Sequence, residues 1–227
     1  MPQRHATPSH RSAAGPRLAA MGMLALAAIG ISHEAAAHPH VWVTSRSQFV
    51  FDGDNVAAIR HSWTFDPAYS QYATQGLDIN GDGKLDGTEL ADLAAANVEG
   101  LYEFDFFTKV KANGKPVTLS KATDSAMTFK DGAVVLDFTL PIEPPVPADK
   151  ALAVEIYDPT YFVSFLFASE ADAATVSGRE NACAITIKRP EQKVFDDEEL
   201  SEAFFNALTS ASNFSQDFAT RAIVACP

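Results

Sequence analysis

Val41-Trp42-Val43-Thr44-Ser45-Arg46-Ser47-Gln48-Phe49-Val50-Phe51, then Asp52-Gly53-Asp54-Asn55, then Val56 through Phe65, decides the fold class. Both arms alternate as half-buried strands do, and the Asp/Gly/Asn run between them has the chemistry of a hairpin turn. The same signature recurs downstream. Phe106–Lys111 and Val117–Leu119 flank Asn113-Gly114-Lys115, and Lys130-Asp131-Gly132 leads into Val134–Leu140. Asn-Gly between alternating residues is a strong short-range hairpin signal, because both central positions need a left-handed backbone. Ala151–Tyr157 and Tyr161–Phe167 flank the turn Asp158-Pro159-Thr160, and Ala182–Lys188 is a further strand. Pro141–Pro147 holds four prolines, which cannot donate to a ladder, so it reads as an extended connection. The expected fold is mainly β with some α: an antiparallel β-sandwich.

Outward from the first hairpin, Asp66-Pro67 opens a helix running to about Leu77, with Asp at the N-cap and Pro at the first turn. From Thr88, residues Leu90, Leu93, Ala94, Asn97, Val98 and Leu101 recur at helical spacing. Between the two lies Asp78-Ile79-Asn80-Gly81-Asp82-Gly83-Lys84-Leu85-Asp86-Gly87-Thr88-Glu89, which matches a twelve-residue EF-hand loop position by position. Ca²⁺ takes six to eight oxygens. Asp78, Asn80, Asp82, Asp86 and Glu89 offer side chains at positions 1, 3, 5, 9 and 12, and Lys84 offers its carbonyl at position 7. Gly83 stands at the sharp turn, and Leu85 supplies an apolar tether. A polar surface turn is the plainer reading, but such turns do not usually put a Glu at position 12 between two helices. The insertion spans about 66–103.

Residues 1–37 read as a signal peptide. Arg4, Arg11 and Arg17 precede an apolar run from Leu18 to Ile31, and Ala35-Ala36-Ala37 offers a cleavage site. The run is short of the roughly 20 residues a membrane span needs, so no direct membrane span is expected. Mature residues 38–227 then form a single domain carrying the insertion. Removing the leader takes Lys+Arg from 17 to 14 and Asp+Glu from 29 to 28, and the formal charge from −12 to −14. So acidic a chain argues against nucleic acid or an anionic membrane as partner. Cys183 and Cys226 suggest one disulfide in an oxidising compartment; two buried free thiols are the alternative.

Three histidines remain after cleavage. His38, as a new N-terminus, could chelate a transition metal (Ni²⁺, Cu²⁺ or Zn²⁺) through its amine and ring, with His40 nearby. Pro39 has no amide to deprotonate, which excludes the four-nitrogen form of such a site. His61 shares a strand face with Ile59, Trp63 and Phe65, which fits a hydrogen-bonded core residue. As the one internal histidine, with no G-x-S-x-G and no phosphate or dinucleotide loop, it leaves a catalytic set little material. The chain reads as non-enzymatic. The aromatic residues Tyr157, Tyr161, Phe162, Phe165 and Phe167 read as core, and Asp196–Leu208, with acids in its first turn, reads as a C-terminal helix. The character of Asn213–Cys226 stays open.

With these residues assembled, the chain resembles the bacterial domain-of-unknown-function 1007 proteins. The resemblance runs through His38-Pro39-His40-Val41-Trp42, His61-Ser62-Trp63-Thr64-Phe65-Asp66, the EF-hand-like loop, Tyr157-Asp158-Pro159-Thr160-Tyr161 and Cys226-Pro227. Members are exported and often labelled periplasmic components of ABC-type transport systems. The resemblance implies a periplasmic accessory role beside an inner-membrane transporter of a divalent metal such as nickel, cobalt or zinc, and supplies no catalytic residues. A usual solute receptor has two α/β lobes around a cleft, whereas this chain has one β-rich unit. Two readings follow. One is an exported calcium-binding protein; the other is a transition-metal binding or delivery protein using His38 and His40.

Overall fold

In β1 (Val41–Asp52) and β2 (Asn55–Phe65) the odd-numbered side chains from Val41 to Phe51 and from Ile59 to Phe65 turn inward, and the even-numbered ones face out. This period of two fixes their register, Ser47 opposite His61 and Arg46 opposite Ser62, closed by a tight turn with Gly53 at φ +57°. The computed structural model describes residues 39–180, 182–189 and 219–226. The expected signal peptide and the helix expected at Asp196–Leu208 lie outside them.

After the hairpin come helices α1 (Pro67–Ala73) and α2 (Ala91–Tyr102), then β3 (Thr108–Ala112), β4 (Lys115–Val117), β5 (Thr123–Lys130) and β6 (Ala133–Pro147). The chain continues through β7 (Leu152–Ile156), β8 (Val163–Phe167), β9 (Ala174–Ser177), β10 (Ala184–Lys188) and β11 (Thr220–Ala225). Among the described residues one sheet has six strands in the order β5-β6-β2-β1-β8, with β9 also paired to β1. The other has five, in the order β10-β11-β7-β3-β4. Asn113-Gly114 and Asp131-Gly132 both take positive φ at their paired positions, the turn chemistry their sequence predicts.

The sheets share one apolar core. Phe49, Ile59, Trp63, Leu136, Phe138 and Leu140 enter it from the six-stranded sheet, and Val110, Leu152, Val154, Ile156, Ala222 and Val224 from the five-stranded one. Phe106 stacks on Phe138 and Phe107 packs against Phe165, tying the layers where the helical insertion rejoins the sheet.

Three expectations change. The large sheet is mixed: β8 and β9 lie parallel to β1, successive partners along one long strand. Asp158-Pro159-Thr160 is the expected turn, and it passes the chain between sheets, since β7 and β8 belong to different ones. There the buried Asp158 carboxylate accepts the amides of Thr160 and Val163 and carries the chain across. Pro141–Pro147 continues β6. Pairing to β5 has ended at Thr139, and a register break between Val56 and Ala58 spares the prolines most ladder bonds. Among the aromatic residues, Phe165 and Phe167 are buried, but Phe162 is exposed. The described part of the tail left open by sequence, Thr220–Ala225, is a strand central to its sheet. Cys183 and Cys226, at the ends of neighbouring β10 and β11, form the expected disulfide.

Candidate metal loop and its surroundings

Asp66 starts the insertion and secures it to the sheet. One carboxylate oxygen accepts the Tyr69 amide (2.9 Å) as N-cap of α1, and the other accepts the Trp42 amide of β1 (3.0 Å). Ser70, fully buried, donates to the Asp66 carbonyl (2.7 Å) and accepts the Val134 amide of β6 (2.9 Å). The helix stops at Ala73, short of the expected Leu77. Thr74 turns its hydroxyl back to the Ser70 carbonyl, and Gly76 takes φ +80°.

Asp78–Glu89 then folds around its own carboxylates. Asp78 accepts the amides of Gly81, Asp82 and Gly83 (2.7–3.1 Å). Asn80 and Asp82 accept those of Asp82 and Lys84 (2.8 Å each). Glu89 reaches back from the far end to the amides of Ile79 (2.9 Å) and Asn80 (3.3 Å), tying position 12 to positions 2 and 3. Gly81 and Gly83 hold φ +72° and +77°, which a residue with a Cβ would resist.

Asp86 and Glu89 also form a reciprocal cap. Asp86 accepts the amides of Thr88 and Glu89 (2.7 and 3.0 Å), while Glu89 accepts that of Asp86 (3.1 Å). These bonds make residues 87–90 a turn, so regular helix begins at Ala91, not the expected Thr88. Leu90 and Ala94 bury into the core, with Leu85, Leu93, Val98 and Leu101 packed beside them. Ile79 stays 82 % exposed at the loop tip.

No carboxylate of the loop is in a salt bridge among the described residues. The loop thus holds Asp78, Asp82, Asp86 and Glu89 against the single cation Lys84. Among the described residues no group of three or more His, Cys, Asp or Glu side chains converges as a ready metal cage. The carboxylates face the loop amides.

The histidines are separated. His38 lies outside the described residues. His40 is exposed, with its ring 4.8 Å from that of Phe162 and its amide donating to the Phe162 carbonyl. His61 is buried between the sheets. Its Nδ1 lies 2.9 Å from Ser47 Oγ, its Nε2 3.4 Å from Thr108 Oγ1, and the rings of Trp63 and Phe138 flank it. Burial pushes its pKa down to about 3, so the ring is neutral at ordinary pH. Both side chains of this serine–histidine pair are buried in the core.

The positioning role of Ser70 has no sequence signal, since nothing local marks a helical serine as bonded to a distant strand. Asp158 could have been found, as Asp-Pro-Thr carries the chemistry of a turn held by its own carboxylate.

The family described as "Protein of unknown function (DUF1007)" matches residues 23–226. A curated relative, an uncharacterized 15.5 kDa protein in the trpE 3'region of Spirochaeta aurantia, is 32 % identical over 90 residues. That match covers 40 % of this chain and 64 % of the relative. No solved structure matches.

Proposed function

The chain belongs to the DUF1007 family of proteins of unknown function, and from that premise we propose that it is an exported, non-enzymatic calcium-binding β-sandwich protein. The observation carrying the reading is the loop Asp78–Glu89, four carboxylates gathered on twelve residues with no ion-pair partner among the described residues. Each carboxylate has about four lone-pair sites, and the amide bonds use only part of them. Asp82 and Asp86 each keep one oxygen without a hydrogen bond among the described residues. A hard divalent cation matches this oxygen-only set, and neutralising the crowded charge supplies the driving force. Asp78, Asn80, Asp82, Lys84 (carbonyl), Asp86 and Glu89 are the ligands.

Sensor EF-hands usually work in pairs, and this loop is single, so the ion serves to lock α1 and α2 onto the sheet. Export is supported by the composition of residues 1–37 and by the Cys183–Cys226 disulfide, which belongs to an oxidising compartment such as the periplasm. There the protein acts beside an inner-membrane metal transporter. Among the described residues no helix is long and apolar enough to cross a membrane.

Calorimetric titration of Ca²⁺ into the chain beginning at His38 tests the reading. One site is expected, and calcium at a hundredfold its Kd should stabilise the fold by ~2.7 kcal/mol. Glu89→Gln should abolish both effects. No calcium heat, or equal binding by the variant, would sink the proposal. A nickel, copper or zinc site lost in His38→Ala would transfer the metal-binding role to the N-terminal histidines.

A further inference from the structure

The outward face of the six-stranded sheet forms a groove of about 510 Å³, in the size range of small-molecule sites. Strand register builds it. Arg46 on β1, Ser62 on β2, Asp137 on β6 and Ala126 on β5 make one row; Gln48, Arg60, Thr139 and Thr123 make the next. A register break in β5 between Thr123 and Ala126, with Asp124 at φ +53°, lifts a second carboxylate to the rim.

One pair of the groove's charges meets, Arg46 with Asp172, and the others stay apart. Arg60 and Asp137 are diagonal neighbours on adjacent strands, roughly 7–8 Å apart at the backbone and within reach of an ion pair. None forms. Arg60 donates instead to Gln48 Oε1 (3.0 Å), and Arg46 turns the other way, to Glu170 (3.0 Å) and Asp172 (3.6 Å). Asp137 has neither ion pair nor side-chain hydrogen bond among the described residues, and Ala126 beside it leaves room. A guanidinium with a neutral partner and a half-buried free carboxylate thus stand at opposite corners of one groove.

We propose that this groove binds a small zwitterion of the amino-acid class, its carboxylate on Arg60 and its ammonium on Asp137. A bidentate guanidinium–carboxylate contact and a charge-assisted ammonium contact answer both charges, which a singly charged ligand cannot do. Asp124 reinforces the ammonium end. Most lining residues carry polar side chains, which favours a polar ligand. The two ring side chains of the lining, His61 and Phe138, are each 1 % exposed, so a sugar ring has no platform to stack on. The three acids of the lining do not converge as a metal-holding group. The site is separate from the calcium loop and its reading does not depend on it.

The test is to titrate ¹⁵N-labelled protein with glycine, L-glutamine and glycylglycine, following amide shifts, with acetate and methylammonium as half-ligands. At least one zwitterion should give saturable shifts confined to β1, β2 and β6, with each half-ligand weaker by roughly tenfold or more. Arg60→Gln and Asp137→Asn, both on the outward face, should each weaken binding by a similar factor while keeping the native spectrum and melting temperature. Absence of saturable shifts, equal effects of the half-ligands, or binding untouched by both variants would overturn the proposal and leave an ordinary solvated sheet face.

Discussion

His61 shows what one residue does in this fold. It sits 1 % exposed with both ring nitrogens next to hydroxyls, and burial holds its pKa at about 3 against an ordinary 6.5. The unfolded chain therefore takes up a proton below about pH 6.5 while the folded chain does not, so stability is full above that pH and falls toward pH 3. Between pH 6.5 and 5, above the range where most carboxylates titrate, the slope should approach ~1.4 kcal/mol per pH unit. Urea unfolding in that window should show it, and His61→Gln should flatten it; a wild type already flat there refutes the assignment. The location of His61 was legible, because residues two apart on a half-buried strand share a face. Its partners were not. Ser47 is opposite on the neighbouring strand, but Thr108 comes from the other sheet, and no local pattern announces a contact between layers.

At the scale of elements, the start of α1 was easier to read than its stop, and the start of α2 was read three residues early. Asp66-Pro67 forces a beginning by satisfying an orphan amide and presetting φ, and α1 begins at Pro67 as expected. Its end depends on Thr74 back-bonding to Ser70 and on a left-handed Gly76, both weak local signals. Most strands were legible from alternation and turn chemistry, whereas β9, β11 and sheet membership were not. A parallel β1–β8 pair needs a long crossover, and sequence shows only that two strands exist. The double duty of Asp66 gives this scale its prediction. Asp66→Ala removes the cap on Tyr69 and the bond from the Trp42 amide together, and should cost about 2 kcal/mol. Asp66→Asn, which keeps an acceptor, should recover much of that in thermal melts. Equal losses in the two variants would show that charge matters more than the hydrogen bonds.

For the whole molecule, the reading of β class with a helical insertion between the second and third strands follows from the order of periodicities along the chain. The concavity of the outer sheet face does not, because the register of four strands creates it. The oxygen set of Asp78–Glu89 was legible because its spacing is local to twelve residues; the way its carboxylates turn onto loop amides required coordinates. The covalent closure was half legible. Two cysteines behind an expected signal peptide suggest a bridge, but only the antiparallel pairing of β10 with β11 brings residues 43 apart to adjoining strand ends. That separation sets the bridge's worth. Closing a loop of 43 residues removes denatured-state entropy worth about 4 kcal/mol, a large share of a domain's stability. Beyond that global loss, removing the staple should also loosen the five-stranded sheet locally, where among the described residues β10 is the edge strand and β11 its one paired neighbour. In Cys183→Ala/Cys226→Ala, hydrogen exchange should accelerate first in β10 and β11, and the urea midpoint should drop, while β1 and β2 retain slow amides until global unfolding. Uniform acceleration across both sheets would mean that the bridge acts through the unfolded chain alone and the edge needs no staple.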